Sequence, residues 1–232
     1  MQESLGGTHS AVLTEISLAL RSILSYYVVY DTSYTTYKRS WAMKLDLNQA
    51  VTLPWLALGA FWGITALGAK RALRTESGAS RLYHLLFMTA VFALLFRQNL
   101  RIGQLGFRII PASREIGYLG LALTYSGAAF ALWARSTLGS NWSAMVSVKE
   151  NHSFVELGPY RLVRHPIYAG LLLAMLGTAL VYGEAGCFLA VILAFVGWWL
   201  KARMEEEFMI QQFGEQYRSY QRNVKQLIPF VL

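Results

Sequence analysis

Five apolar blocks, roughly residues 51–69, 82–96, 116–134, 167–182 and 185–200, constrain most tightly what this chain can fold into. Each is a nearly unbroken run rather than a pattern recurring every third or fourth position. A helix built from such a run is apolar on all sides, as expected of a membrane span. Crossing a bilayer takes about 20 residues at a rise of about 1.5 Å per residue. The first and third blocks are long enough; the others need flanking residues or a locally thinned bilayer. Charged residues make up only 15% of the chain, against about a quarter in soluble domains. The expected class is therefore an all-α integral membrane protein with about five transmembrane helices. Its last two apolar blocks sit close enough in sequence to form a tight C-terminal helix hairpin.

Residues 1–50 stand apart from these blocks. Within 11–30 the apolar pattern is interrupted by Glu15 and Arg21, which favours an interfacial or packed amphipathic helix over a further span. The tyrosine-rich stretch 26–37 suits a membrane interface. The first ten residues lack a cationic lead-in and do not read as a cleaved signal peptide. The organisation expected is an N-terminal segment, 1–50, followed by a membrane domain, 51–232, whose chemistry-bearing part is 135–232.

The net charge of +8 comes mostly from Lys and Arg between the blocks, where cations meet anionic head groups. With five spans, the connections carrying more Lys and Arg include 135–166 and the C-terminus, which places both in the cytoplasm. No polar module with a basic, aromatic face is visible, so nucleic acid is not an expected partner. Cys187 is the single cysteine, so no internal disulfide is possible. No CxxC or HExxH pattern points to a metal.

Small residues form stripes in three blocks: Gly120, Thr124, Gly127 and Ala131; Gly170, Ala174 and Gly177; Gly186, Ala190, Ala194 and Gly197. Such stripes let helix backbones approach closely in lipid. The expectation is that they bring 167–182 and 185–200 together.

Two polar segments carry the chemistry. In the run Gly158-Pro159-Tyr160-Arg161-Leu162-Val163-Arg164-His165-Pro166, Gly-Pro signals a turn and Pro166 suits the first position of a helix. Arg164 and His165 then sit at a helix start with free backbone N–H groups, a corner able to hold an anion. The second segment, Arg203-Met204-Glu205-Glu206-Glu207, continues the last apolar block without a break. Three carboxylates at a helix C-terminal end oppose its dipole, so a cation or a ligand is expected to compensate. Lys201 and Glu205 are spaced for an i,i+4 pair, and Arg203 and Glu206 for an i,i+3 pair. Glu205 and Glu206 are about 100° apart around the helix, which argues against both pointing into one pocket.

Together with Phe213-Gly214-Glu215-Gln216-Tyr217, Tyr220 and the closing Ile228-Pro229, these segments resemble the signature of the isoprenylcysteine carboxyl methyltransferase family, to which phospholipid N-methyltransferases are related. The resemblance covers about residues 115–232. It implies a cytoplasmic S-adenosylmethionine site formed by Tyr160, Arg164, His165, Tyr168, Gly170, Glu205 and Glu206. It also implies that Arg203 orients an anionic, lipophilic or prenylated acceptor, with Arg203 and Glu206 carrying catalysis. Glu207 is an extra carboxylate beside the pair. A carboxylate acceptor arrives nucleophilic, so the task is alignment, worth up to roughly 7–11 kcal/mol. The sequence leaves open a phospholipid amine or small thiol as acceptor, an NADPH-dependent sterol-type reductase, and a non-catalytic membrane scaffold. The absence of a GxGxxG after a strand argues against a Rossmann methyltransferase.

Overall fold

The computed structural model describes residues 45–66, 74–75, 78–96, 103–139, 147–148, 155–229 and 231. The expectations for 1–44, including the helix at 11–30, lie outside them. The chain divides into two units, Met1–Asp46 and Leu47–Leu232, and only the second is described below.

Each of the five apolar blocks falls on a helix: α1 (Leu45–Ala66), α2 (Gly78–Leu95), α3 (Arg114–Leu138), α4 (Pro166–Tyr182) and α5 (Ala185–Phe213). A short polar helix, α6 (Glu215–Asn223), follows. Among the described residues the exception to helix is a two-residue antiparallel ladder, β1 (Arg74–Thr75) with β2 (Ser147–Val148), and two isolated bridges. Helices α3 and α5 are long and apolar enough to cross a bilayer; Leu82–Leu95 and α4 are shorter apolar helices.

Local chemistry sets the helix ends. Ser113 caps α3, its Oγ accepting from the Ile116 N–H at 3.1 Å, which satisfies one of the otherwise unpaired first-turn donors. Gly183 ends α4 at φ +70°, a left-handed conformation that costs glycine little. Only Gly183 and Glu184 separate α4 from α5, and the Gly183 carbonyl accepts from the Ile109 and Ile110 N–H groups. Gly214, at φ +54°, breaks α5 from α6.

The small-residue stripes do not do what their sequence order suggests. A Cβ on Gly170 would meet the Gly127 carbonyl and the Ala131 N at 2.7 Å, and one on Gly177 would fall 2.5 Å from the Thr124 N. The α4 stripe therefore lies against the α3 stripe, not against α5. The α5 stripe turns toward α2: a Cβ on Gly197 would fall 2.6 Å from Phe87, and one on Gly186 3.3 Å from Leu94. Close backbone approach needs small residues on both partners, and the complement of the α4 stripe is on α3. Thr124 and Thr178 keep their hydroxyls satisfied within this interface by bonding Gly120 and Ala174 carbonyls at 2.8 Å. Trp55 of α1 donates to Thr178 at 3.0 Å.

The core contains Val91, Leu95, Met175, Ala179, Ala190, Ala194 and Trp198. Outward faces are apolar too: Leu53, Leu56, Leu85, Leu86 and Ile192 are all more than half exposed. Such a surface suits lipid rather than water.

Candidate functional site

The polar residues of interest converge where the start of α4, the far end of α5 and the segment after α6 meet. Pro166 is the first residue of α4 and His165 caps it without a side-chain bond. The stretch before it is pinned by the C-terminal tail: Arg164 N–H donates to the Lys225 carbonyl at 2.8 Å and His165 N–H to that of Gln226 at 3.0 Å. Two peptide groups that a proline-started helix cannot use are thereby satisfied.

Arg164 grips Glu206 with two bonds, Nε to Oε1 at 2.7 Å and Nη2 to Oε2 at 3.2 Å. Its remaining nitrogen, Nη1, donates to the Gln221 and Val224 carbonyls. Glu206 also accepts from Gln221 Nε2 at 2.8 Å, and it is buried. A planar guanidinium matched to both carboxylate oxygens is the strongest form of this pair.

His165 stands between the two glutamates. Its Nε2 lies 3.0 Å from Glu206 Oε1 and its Nδ1 3.4 Å from Glu205 Oε2. Burial disfavours the charged ring, but the hydrogen bonds and charges of Glu205 and Glu206 outweigh it, so its pKa is raised above the usual value. A ring whose two nitrogens each face a carboxylate favours its protonated form in this way. This revises the expectation that only one glutamate could enter: the nitrogens sit on separate edges of the ring, so it straddles side chains about 100° apart. Glu207 is exposed, so of the three carboxylates Glu205 and Glu206 are the two that enter the cluster.

Glu205 is the more open of the two, with 24% of its side chain exposed against 9% for Glu206. Its Oε1 accepts from the Tyr168 hydroxyl at 2.7 Å. The Tyr168 ring is stacked between His165 and Trp198, with centroids 5.7 Å away on either side. Tyr160 is buried below the turn, its carbonyl accepting from the Tyr220 hydroxyl at 2.5 Å. Burial raises the pKa of Tyr160, Tyr217 and Tyr220 alike, so all three are neutral phenols.

Tyr160, Arg164, His165, Tyr168, Glu205 and Glu206 are thus gathered together. Two expected residues are elsewhere. Gly170 packs on Gly127 and Ala131. Arg203 is exposed, its guanidinium 4.3 Å from the centroid of Trp199; a neighbouring indole one turn back holds it, and Glu206 has Arg164 instead. The buried cation on α5 is Lys201, whose charge acts on Glu205. The i,i+4 spacing offers Lys201 to Glu205, whereas Trp198 and Gln221 were not expected at the site. A signal for Trp198 existed: positions 186, 190, 194, 198, 202 and 206 are all buried, and this four-residue series extends the small-residue stripe through Trp198 to Glu206. Beside the site a cleft of about 630 Å³ opens between 156–161 and α6, lined by Glu156, Leu157, Arg161, Ser219, Tyr220 and Asn223.

Comparison with known proteins gives this geometry a context. Residues 116–216 match the family model described as Phospholipid methyltransferase. A probable protein-S-isoprenylcysteine O-methyltransferase of Oryza sativa subsp. indica is 29% identical over 129 residues, covering 53% of this chain and 68% of the relative. Protein-S-isoprenylcysteine O-methyltransferase A of Arabidopsis thaliana is 33% identical over 121 residues, covering 50% and 60%. The Xenopus laevis protein-S-isoprenylcysteine O-methyltransferase is 25% identical over 238 aligned positions, 95% of this chain and 80% of the relative. Over its second half the chain is similar to protein-S-isoprenylcysteine O-methyltransferases. These matches support a methyltransferase activity. A solved structure titled as the eukaryotic intramembrane Ras methyltransferase isoprenylcysteine carboxyl methyltransferase aligns at a TM-score of 0.46 with 22% identity, over 67% of this chain and 55% of that one. The family-model match, 116–216, takes in Tyr160, Arg164, His165, Tyr168, Lys201, Glu205 and Glu206 and stops short of Tyr217, Tyr220, Gln221 and the tail carbonyls.

Proposed function

We propose that this chain is a methyltransferase that takes S-adenosylmethionine at the Glu205 side of the cluster and methylates the carboxylate of an isoprenylcysteine-like, lipophilic acceptor. In this reading it crosses the membrane several times, with about five spans in a domain formed by 51–232 and 1–50 as a separate N-terminal segment. The site faces the cytoplasm.

The observation that carries the reading is the unequal burial of two adjacent glutamates around one imidazole ring. Glu206 is committed to Arg164, His165 and Gln221; Glu205 keeps open acceptor capacity toward solvent. A carboxylate so placed fits the ammonium or ribose hydroxyls of the cofactor. When bound, the cofactor supplies a methyl group on a positively charged sulfur. Tyr168, locked in its stack, holds Glu205 in one orientation, and Lys201 near Glu205 offers a cation for an anionic acceptor. Alignment of this kind is the main barrier-lowering effect available here.

The matching family model raises a second acceptor, a phospholipid amine. An ammonium must lose a proton before it can attack, whereas a carboxylate need not. Both ring nitrogens of His165 are occupied by carboxylates, which leaves the ring unsuited to act as a base. The cluster therefore favours the carboxylate. Incubation of the purified protein with labelled S-adenosylmethionine and either an S-prenylated cysteine or phosphatidylethanolamine tests this. Base-labile label on the prenylcysteine is the expected result; label on the amine lipid alone would overturn the choice of acceptor.

A further inference from the structure

Three separate segments expose amphipathic or apolar side chains at the end of the bundle that holds the cluster. Near the end of α3, Trp133 is 50% exposed. Beside it lies the turn Gly158–Arg161, where a Cβ on Gly158 would be 3.5 Å from the Trp133 indole. Leu157 and Leu162 flank this turn at 61% and 50% exposure, while Tyr160 and Val163 point inward. On α5 the outward row Leu189, Ile192, Val196 and Leu200 ends at Arg203, seated on Trp199.

Indoles, leucines and arginines at one level are the composition of a bilayer's boundary layer: amphipathic rings settle at head-group depth and arginine heads reach past them. The two arginines of this rim, Arg161 and Arg203, are exposed and form no ion pair among the described residues. A guanidinium free of carboxylate and backed by an indole is suited to a phosphate.

We infer that this rim is an anionic-phospholipid surface, with Arg203 and Arg161 on lipid phosphates and Leu157 and Leu162 inserted beside them. The site cluster is thereby held just above the head groups, where a lipophilic acceptor emerges. The inference rests on the membrane-crossing part of the proposed function and is independent of the methyl donor.

Two measurements on the full chain test it. Titration of the detergent-solubilised protein with short-chain phosphatidylglycerol is expected to reveal tighter binding than of phosphatidylcholine. Arg203→Gln and Arg161→Gln should each weaken it about fivefold, since an arginine near an anionic surface contributes about 1 kcal/mol. Arg203→Lys should retain most of it. Equal affinity for the two lipids, or no loss in either glutamine variant, would overturn the assignment. In nanodiscs, spin labels replacing Leu157 and Leu162 in a Cys187→Ala background should report a depth between labels at Ile192 and at Ser219. Labels as water-accessible as at Ser219 would overturn the rim while leaving the spans in place. Water accessibility at Ile192 as well would overturn the membrane reading with it.

Discussion

Glu206 and Arg164, 42 positions apart in the chain, meet in a two-pronged ion pair with Nε–Oε1 at 2.7 Å and both side chains about nine-tenths buried. The pair ties the last turns of α5 to the start of α4. Removing one partner of a buried pair leaves an uncompensated charge and costs about 3–5 kcal/mol. Arg164→Ala is expected to lower the melting temperature sharply. Arg164→Lys should fall between it and the parent, because an ammonium cannot grip both oxygens. Equal melting of all three proteins would mean that the pair contributes nothing.

Glu205 and Glu206 should respond differently to the same nearly isosteric change. Glu205→Gln is expected to leave the fold intact and weaken cofactor binding by about 10- to 150-fold, the loss of a charge-assisted bond of about 1.5–3 kcal/mol. Glu206→Gln, which strips the counter-charge from Arg164 and His165, should show its main effect as a lower melting temperature. Calorimetry beside thermal melting separates the two. The reverse assignment of effects would place the open carboxylate at Glu206.

A pH dependence follows from His165. Its pKa is raised in the folded protein, so its contribution to stability is full below the unfolded value near 6.5 and is lost as pH rises through the folded value. The melting temperature is expected to fall between neutral and alkaline pH, and His165→Gln should flatten that fall. An unchanged slope in the variant would remove His165 as its origin.

The α3–α4 contact admits no added atoms. Gly177→Ala places a Cβ about 2.5 Å from Thr124 N, and overpacking of this kind costs about 1–3 kcal/mol. Gly59→Ala, where nothing lies within 4 Å, is the control and is expected to be neutral or slightly stabilising, since alanine suits a helix better than glycine. Equal melting of the two variants would contradict the stripe pairing.

These contrasts also mark what a linear reading can and cannot reach. The apolar blocks located α1 to α5 because a lipid-facing or fully buried helix must be apolar throughout, whereas the polar α6 lies on no such block. Pro166 located the start of α4 through its missing N–H. Pairings were harder. Spacing along one helix offered Arg203 for Glu206, yet Arg203 rests on Trp199 and Glu206 takes Arg164 from another element. The stripe on α4 was legible, but its partner on α3 depended on packing order, which no local spacing records. Gln221 contributes from α6, which folds back onto the cluster, a long-range closure with no sequence period of its own.

The central claim is that this cluster is a sulfonium-cofactor site. Its most direct test is calorimetric titration of the purified, detergent-solubilised chain with S-adenosylhomocysteine, run on the parent and on Glu205→Gln. The account predicts saturable one-site binding by the parent and at least tenfold weaker binding by the variant, as expected when a charge-assisted bond is lost. Absence of binding by the folded parent, or identical affinity in the two proteins, would contradict it.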